Sequence, residues 1–436
     1  MELLAKAVAL GAEYVDIELI AAERFAPVLE AAGGKRSCSL IVSNHDYEKT
    51  PDDEVLMDKL RAMVAAGADV AKLACMAAAD GDAARMLALP SRLAEEDPDT
   101  KVISLAMGER GVSSRILASK YGGYLTFGAM GGAASAPGQP PIEALVSTFR
   151  SKSMRSATKV YGLLGNPVAQ SKGAALHNAA YEATGVDAVY VPFLCDSPTD
   201  LVRSFDAADE VLGADCAGFS VTIPHKTAAM ELCDELDPLA ERIGAVNTLV
   251  RMAGGGFKGY NTDSSAAIGA IVSALEDAGA GTDPLKGRPV VVIGAGGAGR
   301  ALAAGAQALG ARVTIVNRTA DKAVALAESL GGDAAGVTAA TYEDLQSGEL
   351  LKALGAGAVL ANSTSVGMVP DVDATPVPRE AMADAGVAAV FDAVYNPMTT
   401  RCVLRARGRT LSRASMPCPT VQMCAACALF ARWLLG

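Results

Sequence analysis

Aromatic side chains are scarce in this sequence. Phe, Trp and Tyr make up 5% of 436 residues, with a single Trp, while 51% of residues are hydrophobic. A core built this way must close with aliphatic and small side chains, which suits helices packed tightly on a sheet. There are three His, and no metal is expected. The nine Cys are scattered. Cys424 and Cys427 form a C-x-x-C in an apolar helical stretch without a second pair, which reads as buried thiols and not as a zinc or dithiol site. Positive charge is also lacking: 38 Lys and Arg against 49 Asp and Glu give a net charge of −11. That balance argues against a nucleic-acid partner. No apolar run is long enough to span a membrane, and the C-terminal one is broken by Arg432. No signal peptide is read at Met1.

Glycine, by contrast, is plentiful, with 44 residues. The stretch 289–302, PVVVIGAGGAGRAL, runs from a β-branched segment into Gly294, Gly296, Gly297 and Gly299, then into an Ala-rich helical pattern. Strand, glycine turn and helix are the context a dinucleotide fingerprint requires. Gly294 permits the turn, Gly296 lets backbone approach a pyrophosphate, and Gly299 lets helix and strand pack closely. The next β-branched segment, 312–316, ends in Asn317, Arg318 and Thr319, with Lys322 beyond. An NAD site carries Asp or Glu there for the ribose 2′-hydroxyl. A cation with neutral donors suits a 2′-phosphate, so the cofactor is read as NADP(H). The bland alternative is a solvated Arg at a strand end.

The first 150 residues alternate strands and helices. Strands are expected at 14–19, 38–43, 70–76, 102–107 and 124–128, with helices at 1–12, 54–66 and 80–89. Repeated βα units imply a parallel sheet, and polar residues near the strand ends occupy the positions where TIM barrels place chemistry. These are Asp16, Glu18, His45, Lys72, Arg115, Ser135 and Gln139. Lys72 lies in the apolar run VAKLACM, where an ammonium without a partner would become a nucleophilic amine. A strand-end lysine paired with a carboxylate is the alternative. The motifs SNHDYEKTP, VAKLACM, GVSSRI and ASAPGQ, in that order, resemble the second half of type I 3-dehydroquinate dehydratase. The resemblance implies a Schiff-base lysine at Lys72 and a proton-transferring histidine at His45. It implies substrate contacts from Arg115, Ser135 and Gln139. That family folds as an eight-stranded barrel, so this chain reads as starting mid-barrel, which leaves cytoplasm and plastid both open as compartments.

Residues 149–158, FRSKSMRSAT, are polar and aperiodic and read as a linker. Beyond it, strands are expected at 160–164 and 188–193, a strand from 217 running through Lys226 into a helix, and an edge strand near Lys258. A lysine at Lys226 and a carboxylate at Asp263, each at a strand end, can hold an ammonium charged and aimed at a substrate oxygen. An ion pair of purely structural use is the alternative, and His177 and His225 read as structural. The motifs GNPVAQSKG, VTIPHK, GAVNT, GYNTD, NSTSVGM and DAVYNP are similar to those of shikimate dehydrogenases. The resemblance places Ser171, Thr222 and Tyr395 at the substrate carboxylate, and Asn247 at the ring hydroxyls with Lys226 and Asp263. Gln422 matches the family's C-terminal glutamine. Gly173 stands where the family carries a second serine, so a small void is expected beside it, with room for quinate; a water filling the gap with specificity unchanged is the alternative.

The chain is thus expected to be α/β, a partial TIM-type barrel followed by a two-lobed dehydrogenase with a Rossmann NADP domain. The expected boundaries are 1–150 for the barrel, 151–158 for the linker, 159–264 for the substrate lobe, 265–400 for the NADP domain and 401–436 for a returning segment. The implied partners are small molecules: 3-dehydroquinate, 3-dehydroshikimate and shikimate. The alternatives are a dehydrogenase with an inert barrel remnant and a silent NADP-binding protein.

Overall fold

The structure, a computed structural model, describes residues 2–31, 38–132, 134–208, 212, 216–394, 396–397, 399–406 and 412–415. Two units, Met1–Phe219 and Ser220–Gly436, divide the chain.

In the first unit, β1 (Tyr14–Glu18), β2 (Ser39–Asp46), β3 (Val70–Met76) and β4 (Lys101–Met107) pair in parallel, in that order. Alternation along each strand sorts the side chains. Val15, Ile17, Val42, Leu73 and Cys75 join the core that also holds helix residues Leu56, Leu60 and Met86. Ile41, Val70, Ile103 and Leu105 cluster together instead, and Asp16, Glu18, His45 and Lys72 share their strand parity. The strand expected at 124–128 is not formed. Tyr124 N–H begins the pairing by donating to Val102 O at 2.7 Å. The chain then bonds to its own following loop, Ala129 N–H to Pro140 O and Ile142 N–H to Ala129 O. Among the described residues the barrel segment is therefore an open four-stranded sheet.

The same unit continues with β5 (Lys159–Gly165) and β6 (Ala188–Leu194), parallel along their whole length. Residues 149–158, expected as a linker, are stitched down. The Arg150 guanidinium donates to Ala188 O at 2.9 Å, Arg155 pairs with Asp187 at 2.9 Å, and Ser119 Oγ donates to Ser151 O at 2.8 Å. β7 (Cys216–Val221) carries the chain into the second unit.

There, β8 (Cys233–Leu236), β9 (Thr248–Arg251) and β10 (Phe257–Tyr260) follow. β10 lies between antiparallel β9 and parallel β8, so it is interior and not the edge strand expected near Lys258. Six parallel strands complete the unit: β11 (Pro289–Ile293), β12 (Arg312–Val316), β13 (Val337–Ala340), β14 (Val359–Asn362), β15 (Ala389–Asp392) and β16 (Ser412–Ser415). Their order, β13-β12-β11-β14-β15-β16, is that of the doubly wound dinucleotide fold. β11 is buried along its length, as expected for a run of Val and Ile with helices on both faces. Among the described residues no helix is long and apolar enough to cross a membrane.

Candidate active sites

The glycine turn after β11 sits where the strand order reverses, the place open α/β sheets bind ligands. Gly294 has φ +112, a conformation that side-chain-bearing residues rarely adopt. A Cβ on Gly299 would lie 2.1 Å from Gly294 O, so the helix Gly297–Ala308 could not pack with any larger residue there. A Cβ on Gly296 meets nothing within 4 Å. That glycine faces open space, as a position meant for a phosphate must. A cavity of about 530 Å³ adjoins the turn, lined by Gly296, Asn317, Arg318, Thr319, Lys322 and residues 363–366. Arg318 and Thr319 are exposed just past the C-terminal end of β12. Asn317 is partly used as a brace: its Oδ1 accepts from Ala295 N–H at 3.3 Å and its Nδ2 donates to Thr319 O at 3.0 Å.

The far wall of this cavity rests on a buried carboxylate whose role the sequence did not signal. Asp392 accepts from Asn362 Nδ2 at 2.9 Å, Val394 N–H at 3.0 Å and Thr400 Oγ1 at 2.6 Å. Burial raises its pKa above the ordinary carboxylate value. Asn362 in turn accepts from Thr364 N–H and Oγ1, which shapes the 363–366 loop.

Lys226 and Asp263 meet as expected and form a buried ion pair. Neither is at a strand end: Asp263 stands at the first turn of the helix Asp263–Asp277, and Lys226 lies in the turn between Val221, where β7 ends, and the short helix Ala228–Leu232. Asp263 Oδ1 accepts from Asn247 Nδ2 at 2.9 Å. Two residues quoted in the GYNTD motif, but given no role, fix this arrangement. Asn261 Oδ1 accepts from Asp263 N–H at 3.1 Å, and Thr262 Oγ1 accepts from Asn247 Nδ2 at 2.8 Å. A Cβ on Gly297 would fall 2.7 Å from Lys226 Cβ. The lysine stem therefore runs against the start of the dinucleotide helix, and only glycine leaves it room. Thr222 is half-buried just past β7. Tyr395 and Gln422, like Cys424 and Cys427, lie outside the described residues.

In the first unit, Ser171 Oγ accepts from Gly173 N–H at 3.1 Å. The void expected beside Gly173 is not there. A Cβ at that position would meet Tyr190 Cε1 at 3.0 Å and Ser171 Oγ at 3.2 Å, because the tyrosine ring fills the space. His177 stacks on the same ring, with centroids 4.2 Å apart, and burial pushes its pKa down to about 4.

The barrel residues come together in pairs. Lys72 Nζ donates to Asp16 Oδ2 at 2.7 Å and lies 5.0 Å from the Phe127 ring centroid. The ammonium is ion-paired and not isolated in apolar surroundings. His45 pairs through Nδ1 with Glu18. Ser135 N–H and Oγ both donate to Gln139 Oε1, at 2.8 and 3.0 Å. Arg115 is buried, reaches Pro137 O at 3.5 Å, and has its pKa lowered by that burial.

The doubly wound sheet, the glycine turn and the lysine–carboxylate pair define a class: a Rossmann-type dinucleotide fold with an acid–base pair beside the turn. Three family models match successive segments of the chain. Residues 1–156 match type I 3-dehydroquinase, 163–249 the shikimate dehydrogenase substrate binding domain, and 276–361 shikimate / quinate 5-dehydrogenase. The chloroplastic bifunctional 3-dehydroquinate dehydratase/shikimate dehydrogenase of Arabidopsis thaliana is 42% identical over 415 residues, 93% of this chain. The chain spans 65% of that relative's length. The shikimate dehydrogenase (NADP(+)) of Haloarcula marismortui is 47% identical over 242 residues, covering 56% of this chain and 81% of that protein. A solved shikimate dehydrogenase in complex with NADP+ shares 32% identity and a TM-score of 0.51, covering 63% of this chain and 90% of that one. The chain belongs to the shikimate dehydrogenase family and carries a type I 3-dehydroquinase segment ahead of the dehydrogenase.

Proposed function

We propose that this chain reduces 3-dehydroshikimate to shikimate with NADPH, and that residues 1–150 derive from a 3-dehydroquinate dehydratase. The observation that carries the dehydrogenase reading is Lys226, paired with Asp263 and lying against the first residue of the glycine-turn helix. NADPH, when bound, supplies the hydride. Gly294, Gly296, Gly297 and Gly299 would cradle its pyrophosphate, and Arg318, Thr319 and Lys322, with Asn317 as brace, would hold its 2′-phosphate. Lys226 donates a hydrogen bond to the substrate carbonyl and delivers a proton as the alcohol forms. Asp263 keeps that ammonium charged and aimed, and Asn247 holds the second carboxylate oxygen. Ser171, Thr222 and Tyr395 are assigned to the substrate carboxylate, Asn247 to ring hydroxyls with Lys226 and Asp263, and Gln422 to substrate binding. For the dehydratase, Lys72 is assigned as Schiff-base lysine and His45 as proton carrier, with Arg115, Ser135 and Gln139 at the substrate. Its product would be the dehydrogenase's substrate. The open four-stranded sheet favours a second reading in which the dehydrogenase alone is active. The chloroplastic name of the Arabidopsis relative favours a plastid compartment.

The test is Lys226→Ala. Turnover should fall by roughly 10²–10⁴, the usual contribution of a positioned acid, while NADPH affinity measured by fluorescence titration stays within about twofold. Near-normal turnover would remove Lys226 from the mechanism.

A further inference from the structure

Asp80 lies in the loop between β3 and the helix Asp82–Glu96, within the 3-dehydroquinase match. Its side chain is only 9% exposed. Its carboxylate accepts from the backbone N–H of Asp196 at 2.9 Å and of Ser197 at 2.8 Å. Those amides lead into the helix Pro198–Ala208, in the dehydrogenase substrate-binding match. The helix takes its cap from Ser197, whose Oγ accepts from Asp200 N–H at 3.1 Å, and Asp80 holds the two amides just ahead of it, so an aspartate from one family segment anchors the start of a helix of the other. Gly81 shows how close the two surfaces are: a Cβ there would fall 2.9 Å from Ser204 Cβ.

Arg110 extends this contact. Its guanidinium pairs with Asp80 through one terminal nitrogen and with Asp196 through the other. The second Asp196 oxygen accepts from Asn166 Nδ2 at 2.9 Å. Cys195 N–H also donates to Gly165 O at 3.1 Å, tying the ends of β5 and β6 together. Asn166 opens the loop that carries Ser171 and Gly173. An exposed Asn–Asp bond alone would count for little. Here the Asp196 side chain is clamped by an arginine that a buried carboxylate fixes, so little conformational freedom remains to be lost when the loop is held.

We propose that Asp80, Arg110 and Asp196 form a positioning relay by which the 3-dehydroquinase segment holds the 166–173 loop of the dehydrogenase in its substrate-binding shape. The inference rests on the assignment of Ser171 to the substrate carboxylate. These residues position the loop and do not touch substrate. The segment therefore serves the dehydrogenase whether or not it dehydrates anything.

The experiment uses the full chain. Asp80→Ala should raise KM for shikimate about fivefold, the size of one ordinary net hydrogen bond, with kcat and KM for NADP+ within about twofold. Hydrogen exchange should quicken at amides 166–173 and stay unchanged at 289–302. Asn166→Ala, which cuts only the last link, should reproduce the shikimate effect. Asp80→Asn keeps the shape and replaces the alanine variant if that fails to fold. Unchanged exchange at 166–173 would overturn the relay. So would an unchanged KM for shikimate in Asp80→Ala when Ser171→Ala raises it. If Ser171→Ala itself leaves that KM alone, the carboxylate assignment is what fails, and exchange at 166–173 alone decides the relay.

Discussion

His177 packs flat on Tyr190, whose ring edge also fills the space beside Gly173. Burial lowers the imidazole pKa from 6.5 to about 4, so the folded protein prefers it neutral. That preference is fully present above pH 6.5 and is lost as pH falls toward 4. Over that window it withdraws about 3 kcal/mol of stability. Urea unfolding followed across this range should show a flatter acid limb in His177→Phe, which keeps the stack and cannot be charged. An unchanged limb would assign the acid sensitivity elsewhere. Single residues were legible in the sequence where polarity interrupts an apolar pattern. Lys72 stood out on that ground; Lys226 and Asp263 stood out as charged residues expected at strand ends within the VTIPHK and GYNTD motifs, and those two meet. Asn261 and Asp392 did not, because their work is to hold backbone N–H groups and side-chain amides whose positions only the folded chain defines. Gly173 misled for a related reason: the absence of a side chain says nothing about which neighbour moves in.

At the scale of elements, β11, its turn and β12 were readable because β-branched runs punctuated by glycine have few other solutions. The segment 124–128 looked equally strand-like, yet it makes one ladder bond and then pairs with its own loop. Strand propensity does not supply a partner. β10 was misjudged as an edge because β8, which covers its other side, is a short run with Asp234 and Glu235 in its middle. The cofactor preference proposed above is placed at the end of β12. Arg318→Ala should weaken NADPH binding by about 1.5–3 kcal/mol, the range for a lost charge-assisted contact, and leave NADH nearly unaffected. Equal weakening of both cofactors in a titration would show that Arg318 does not read the phosphate.

For the molecule as a whole, the residues proposed for dehydration are arranged in a form poorly suited to it. Lys72 is ion-paired, Ser135 and Gln139 bond to each other, and the sheet that carries Lys72 is open. This chain should therefore show little dehydratase turnover, and borohydride added with 3-dehydroquinate should leave Lys72 unmodified by mass spectrometry. Efficient trapping on Lys72 would reverse that conclusion. The family matches change between residues 156 and 163, yet the first unit runs on to Phe219. The seam at 149–158 is bonded on both sides. Inheritance and cohesion thus follow different boundaries. A dehydrogenase expressed from residue 159 would bare the start of the helix Pro198–Ala208 and the face that Gly81 now touches, and water would have to satisfy what Asp80 satisfies. The fusion has become a dependency.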